Sequence, residues 1–507
     1  MMSGALAAGE PLPVPQPDQP LQLIGSLSRL LEEAGVRYCH WKSNAAIDRS
    51  TSGDNDLDLL VGRSDLSSFT EILSRLGFLR AHKPGLAIPG IESFYGYDTN
   101  ADRLVHVHAH YQLVLGDDRT KNYRLPIEDA YLDSATRTGL LALPSAEVEY
   151  VVFVIRMILK YCTWDEMAWC AARGRRAGPS PTERGEHEYL AARVDEERTI
   201  IVVEKHLPFV GAKLFADCAA VLTSGGSTRR RIRTGRMLEE SLQPHARYSR
   251  RRDRALRIWR RFALAAHRRM RGSQKNRLAG GGAMVGIMGG DGSGKSTALA
   301  ALGDWLGPEF DVRLVHLGKP RWSATTFAVR AGLKGVARGV DALARLDRVT
   351  PARRLASHVE TYRPLLWLVC TARDRHNAYR SARRFASDGG LVLCDRYPHP
   401  RLRSMEAPLI ASRTADGPDN RLVRAMIGVE QRYHRSIAPP ELLVVLRVDP
   451  EIAVQRKTEE SPDSVRARGA EVWNIDWRDS RAHVIDASQP EEAVARELKA
   501  LVWSALA

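Results

Sequence analysis

Residues 283–297 read Ala-Met-Val-Gly-Ile-Met-Gly-Gly-Asp-Gly-Ser-Gly-Lys-Ser-Thr. Within them, Gly289 to Ser296 satisfies G-x-x-x-x-G-K-[ST], the pattern of a phosphate-cradling loop. The chemistry explains the residue types. Gly289, Gly290, Gly292 and Gly294 let the backbone N–H groups, those of Asp291 and Ser293 included, curl round phosphates with no Cβ in the way. Lys295 is long enough to reach the β and γ phosphates, and the Ser296 hydroxyl suits Mg²⁺. Thr297 to Leu302 opens a helix, whose N-terminus favours an anion. Ala283 to Met288 reads as a short buried strand leading into the loop. The expected ligand is a nucleoside triphosphate, ATP with Mg²⁺, held by Gly289 to Thr297.

Downstream, apolar runs recur between helical patterns. Val312–Leu317 reads as a second strand, Leu391–Cys394 as a buried strand ending in Asp395-Arg396-Tyr397, Leu442–Leu446 as another, and His483–Ala487 as the last. Leu365–Leu368 lies in a helical stretch followed by Arg373-Asp374-Arg375. Asp449-Pro450 starts a helix that carries Arg456, and Pro490–Leu501 reads as the final helix. Apolar strands alternating with helices predict an α/β fold with a parallel sheet covered by helices on both faces. Polar residues at the carboxyl ends of such strands face one crevice.

The phosphate loop with Asp291, the Asp374-Arg375 pair, the Asp395-Arg396-Tyr397 strand end and the closing Ile485-Asp486-Ala487 follow one another as in the thymidylate kinases. The stretch 283–507 resembles that family of P-loop nucleoside monophosphate kinases. The resemblance implies transfer of a phosphoryl group from ATP, with dTMP giving dTDP. It assigns Lys295 and Ser296 to the triphosphate and Mg²⁺, Asp395 to the metal through water, and Arg396 to both donor and acceptor phosphates. Arg375 would grip the acceptor phosphate, Asp291 would face the acceptor sugar, and Arg456, with Arg466 and Arg468 in a lid-like polar stretch, would close over the transferred group. A surface ion pair is the plainer reading of Asp374-Arg375, and a solvated charge run is as good a reading of Arg466 and Arg468 as a lid. Two segments depart from the family. Lys319-Pro320-Arg321-Trp322 stands in place of Arg-Glu-Pro-Gly-Gly, and Pro398 to Arg403 replaces the nucleotide-reading stretch after the Asp-Arg-Tyr. Asp416-Gly417-Pro418 is either part of an altered acceptor site or a turn. Another phosphorylated small molecule, such as a sugar phosphate, is therefore the alternative acceptor. A regulatory protein that binds ATP without efficient transfer is a third reading, against which Arg375, Asp395 and Arg396 argue.

The front of the chain has its own motif. Gly53-Asp54-Asn55-Asp56-Leu57-Asp58 sets Asp56 and Asp58 on one side of a strand, a spacing suited to a shared Mg²⁺. With Ser43 upstream, this stretch resembles the nucleotidyltransferase fold, so 21–143 is expected to be an α+β nucleotidyltransferase-like domain. The family's third carboxylate is missing from the neighbouring strand, which reads Val105-His106-Val107-His108-Ala109-His110. Those histidines either supplement the carboxylates at a metal or are polar edge residues, the plainer account.

The remaining signal is charge. Residues 229–277 hold 18 basic and 3 acidic side chains, an excess equal to the +15 of the whole chain of 507 residues. Leu256, Trp259, Ala263, Ala266 and Met270 share one face of a helix, with Arg254, Arg257, Arg261 and Arg268 elsewhere. Three readings stand. The first is a linker helix packed on a neighbouring domain; the second is a helix over 250–271 lying on an anionic membrane surface. Nucleic acid comes last, because no aromatic-rich binding module accompanies the charge.

The expected order is therefore a disordered tail (1–20), the front domain (21–143), a helical region (144–228) with a polar loop at 174–185, a basic linker (229–282) and the kinase-like domain (283–507). Six scattered cysteines without C-x-x-C spacing fit a reducing cytoplasm. No apolar run is long enough to span a bilayer, so a cytoplasmic protein, peripheral at the membrane if the second reading of the basic helix holds, is expected. Small nucleotides are the expected partners, and a homodimer is left open.

Overall fold

The computed structural model describes residues 19–507 except 225, 347–349, 400, 403–407, 416–419, 459 and 479. The first eighteen residues of the expected tail, Arg403, and the Asp416-Gly417-Pro418 turn lie outside the described residues. The chain is mixed α/β and divides into two compact units, with the division after Gln274.

In the first unit, β1 (Tyr38–His40), β2 (Leu57–Val61), β3 (Leu79–His82), β4 (Ile91–Asp98) and β5 (Arg103–His110) lie in the order β1-β2-β5-β4-β3. Only the β2–β5 pairing is parallel, with Asp58 opposite His108. Helices Gln22–Glu33 and Leu66–Arg75 bury Ile24, Leu27, Leu31, Phe69 and Leu73 against the sheet strands. That spacing, three and four residues apart, is the apolar stripe of a surface helix. β3 and β4 were not visible as strands in the sequence, because Gly96 and the polar tips of β4 break the alternation.

Behind the sheet, helix Ala146–Tyr161 is buried nearly all round from Val148 to Leu159 and forms the axis of a helical core. A helix apolar on every side needs partners on every side. Helices Pro181–Ala191, Glu196–His206, Gly211–Ser224 and Thr228–Ser241 supply them. Two sequence expectations change here. The polar loop at 174–185 ends early, because Ser180 and Glu183 form a capping box that starts a helix at Pro181. The first half of the basic segment is core: Leu238 and Leu242 are fully buried with the helical cluster.

The second unit is built on five parallel strands. They are β6 (Met284–Gly289), β7 (Val312–His316), β8 (Leu391–Asp395), β9 (Leu442–Arg447) and β10 (Ala482–Asp486), in the order β7-β8-β6-β9-β10. The expected alternation of strand and helix is present. β6, β8 and β9 are buried almost throughout, whereas the edge strand β7 leaves Leu314 exposed. A pair of long helices, Ala324–Leu346 and Thr350–Ser387, joins β7 to β8; the second contains the expected Leu365–Leu368 stretch. Strand order reverses on either side of β6. Helix Lys295–Leu306 follows it, and the crevice outside the strands' carboxyl ends opens there.

Candidate functional site

The loop Gly289–Ser296 follows β6, and its residues are packed to a shape only small ones permit. Gly292 has φ 78°, and a Cβ there would lie 2.6 Å from the Ala453 carbonyl. A Cβ on Gly290 would meet the Gly469 Cα at 2.9 Å. Lys295 is buried and donates to the Gly290 carbonyl at 2.6 Å. Burial, with Arg396 nearby, brings its ammonium down to about 8.

β8 delivers Asp395 beside the loop, as its register with β6 requires. One carboxylate oxygen, Oδ1, is buried with no partner among the described residues, and the other lies 3.4 Å from His316 Nε2. Ser293 Oγ is likewise buried without a partner among the described residues. Buried polar atoms are ordinarily satisfied, so these orphaned oxygens on the loop and at the strand end suit a cation and a polyanionic ligand. Arg396 adopts a left-handed φ of 55°. Backbone of this kind persists only where its surroundings hold it, and here its guanidinium reaches Asp291 at 3.1 Å.

The structure separates other expected site residues. Asp291 is buried between Arg396 and Arg468, the latter at 2.7 Å, so its carboxylate is engaged by two cations instead of facing an open acceptor site. Of the two lid candidates, Arg468 reaches Asp291 in the glycine-rich loop, while Arg466 is bound to Glu451 and Asp463 at the surface. Asp374 and Arg375 are both buried, which removes the surface ion-pair reading. Asp374 accepts from the Ser323 amide at 3.2 Å, and Arg375 donates to the Leu317 carbonyl at 2.8 Å and contacts His434 at 3.2 Å. Burial, reinforced by Arg375, holds His434 down at about 4, so it is neutral toward the guanidinium. Arg375 thus braces the segment after β7. Arg456 donates to the Ala487 carbonyl at 2.8 Å.

Two cavities flank the loop. One, of about 830 Å³, is lined by Ser296, His316, Lys319, Arg321, Asp374 and Asp395. The other, of about 370 Å³, is lined by Gly292, Gly294, Thr297, Arg456, Ala487 and Glu491. Both lie in the size range of small-ligand sites. Lys319 and Arg321 belong to the segment that departs from the family motif; His316 was not singled out from the sequence, and its place at the carboxyl end of a parallel strand was the available signal.

In the first unit the expected Asp56–Asp58 pair does not share one site. Asp56 meets His106 at 2.8 Å, whereas Asp58 meets Lys42 at 2.9 Å and His108 at 3.1 Å. The group whose ligand atoms come together is Asp58, His108 and His110. The reason is register: Asp58 lies opposite His108, and alternation brings His110 to the same face. Burial opposes charge on Asp58, but Lys42 and His108 outweigh it and hold the carboxyl far below its usual range. Burial lowers His108 and, more strongly, His110. Ser43, in a left-handed turn, donates its amide to Glu186 at 2.9 Å, and the Asn44 amide faces Glu149. The protein's own carboxylates therefore occupy the turn at Ser43.

Burial pushes Glu149 up to about 7 from an ordinary 4.5. A raised folded-state pKa stabilises fully below pH 4.5 and loses that contribution as pH rises through 7. Glu149→Gln is expected to lose less stability than the wild type as pH rises through 7, ending about 3 kcal/mol more stable than it above neutrality. Thermal unfolding on both sides of neutral pH checks this; equal pH slopes for the two proteins would refute it.

No family model matches the chain, and no curated protein matches it in sequence. Among the described residues, no helix is long and apolar enough to cross a membrane. The six cysteines are all free.

Proposed function

We propose that the second unit is an ATP- and Mg²⁺-dependent phosphotransferase of the nucleoside monophosphate kinase type. The observation that carries this reading is the meeting of Lys295, Ser296, Asp395 and Arg396 at the carboxyl ends of adjacent parallel strands, where strand order reverses. Ser296 and the unpartnered oxygen of Asp395 would hold Mg²⁺, which screens the phosphate charges when bound. The loop amides and the N-terminus of helix Lys295–Leu306 would cradle the triphosphate. The cavity beside Arg456 has room for the donor base, and the larger cavity beside Asp395 for the acceptor. Such transfer rests on positioning and positive charge. Arg396 and Arg468 already stand at the loop, held by Asp291. An incoming phosphate would compete with that carboxylate for both guanidinium groups.

dTMP is the first acceptor to test. A different phosphorylated small molecule is supported by one observation: Lys319 and Arg321 line the acceptor cavity in place of the thymidylate kinases' motif. For the first unit, the carboxylate-filled turn at Ser43 supports a nucleotidyltransferase-like domain that does not transfer nucleotides. The deciding assay mixes purified protein, ATP and Mg²⁺ with a panel of nucleoside monophosphates and sugar phosphates. ADP formation that depends on one acceptor and rises with Mg²⁺ is expected. In Asp395→Asn, more Mg²⁺ should be needed for the same rate. No acceptor-dependent turnover above a Lys295→Ala control would sink the kinase reading.

A further inference from the structure

Helix Arg250–Arg271 sits in the first unit and buries a charged stripe of Asp253, Arg257 and Arg261. Arg257 is 2% exposed, and its guanidinium lies 3.0 Å from Asp165, 3.4 Å from Glu239 and 3.5 Å from Asp253. Arg261, also buried, lies 2.6 Å from Glu166. The opposite face carries Trp259, Phe262 and Met270, which are 66%, 60% and 76% exposed, with Ile258 at its edge. Trp259 and Met270 of the apolar stripe read from the sequence thus face outward. An amphipathic helix in water ordinarily turns the other way. Here rotation would leave Asp165, Glu166 and Glu239, which lie on other elements, without their arginines, and an unpaired buried charge is far costlier than an exposed apolar side chain. The acids on neighbouring elements therefore hold the aromatic face outward.

That face has the composition of a bilayer-surface helix. Arg251 and Arg252 flank it at one end and Arg268 and Arg269 at the other, all exposed. The helix's single acid, Asp253, is 1% exposed and faces inward. The adjacent helix Trp164–Ala171 widens the surface. Trp164 is exposed with Arg254 over its ring at 5.8 Å, and Trp169 meets Phe262 edge-on at 5.8 Å. Tryptophan favours the boundary between headgroups and acyl chains, and arginines at the rim suit lipid phosphates.

We propose that this face docks the protein on an anionic lipid bilayer. The helix lies in the plane of the surface, with Trp259, Phe262 and Met270 at the acyl boundary and the terminal arginines on lipid phosphates. Charge complementarity selects this occupant. A second copy would bring the same cationic face against itself, which like-charge repulsion opposes. The inference rests on the first unit alone and stands apart from the kinase reading.

The test is co-sedimentation of the full-length protein with vesicles of phosphatidylcholine alone or mixed with phosphatidylglycerol, without nucleotide. Binding to the mixed vesicles, weakening as salt is raised, is expected. Trp259→Ser with Phe262→Ser should bind at least about ten-fold more weakly. Its unfolding midpoint should stay unchanged, because both side chains are exposed. Arg251→Gln with Arg252→Gln should weaken binding to the anionic vesicles only. The proposal is overturned if the wild type does not bind mixed vesicles, or if the double serine variant binds them equally. It is also overturned if sedimentation velocity shows a dimer that the serine variant abolishes and that vesicles do not displace.

Discussion

Replacing Lys295 by Ala is expected to slow phosphoryl transfer at least about a hundred-fold, the usual cost of removing one positive group from a phosphate transition state. Lys295 is buried at the N-terminus of its helix, and its ammonium is held on the Gly290 carbonyl. In that position it waits in the loop, and a bound triphosphate supplies a stronger acceptor than a neutral carbonyl. Because its pKa is drawn down to about 8, anions arriving in the loop should raise it and take up protons as pH increases. Calorimetry in buffers of different ionisation enthalpy, set slightly alkaline, should show proton uptake on ATP binding in the wild type and none in the alanine variant. The variant's unfolding midpoint should remain near that of the wild type, separating lost chemistry from lost structure. Transfer at the wild-type rate in this variant would remove the loop from the mechanism.

The second large effect concerns stability. Arg257→Ala is expected to cost about 3–5 kcal/mol of folding free energy, because it leaves Asp165, Glu239 and Asp253 buried without their common cation. Burial raises the carboxyls of Glu239 and Asp253 even with Arg257 present. A raised folded-state pKa stabilises at low pH and loses that contribution as pH rises. Removing the guanidinium raises both further. The deficit should therefore widen from acid to alkaline buffer. Urea unfolding of wild type and variant at two pH values measures it. A deficit that shrinks as pH rises would mean that another cation compensates the carboxylates. Arg257→Lys should recover part of the loss, since it restores charge without the planar fork that reaches several acids.

How much of this was legible beforehand depended on whether a feature is local. The strand before the glycine-rich loop and the helix after it are legible because a glycine-rich turn between a buried run and a helix start is written in consecutive residues. The position of Asp395 at the end of an apolar strand is legible for a similar reason. Arg375 was a candidate through the family resemblance, but its partners, the Leu317 carbonyl and His434, are far away in the chain. Asp56 and Asp58 were paired because alternation puts them on one face of a strand. Register with β5 then gave one to His106 and the other to His108 and Lys42. Alternation assigns a face, and only the neighbouring strand assigns a partner.

The sequence by itself determined that the second unit alternates strand and helix around a glycine-rich loop, and that residues 250–271 form a two-faced helix. Only the tertiary structure decided the strand order that sets Asp395 beside the loop, and which face of that helix turns inward. The physical reason is common to both. An amphipathic pattern records that two faces differ, but burial depends on what lies opposite. Here Asp165, Glu166 and Glu239, distant in sequence, make the inside of this helix the place for arginine and leave Trp259 and Phe262 outside.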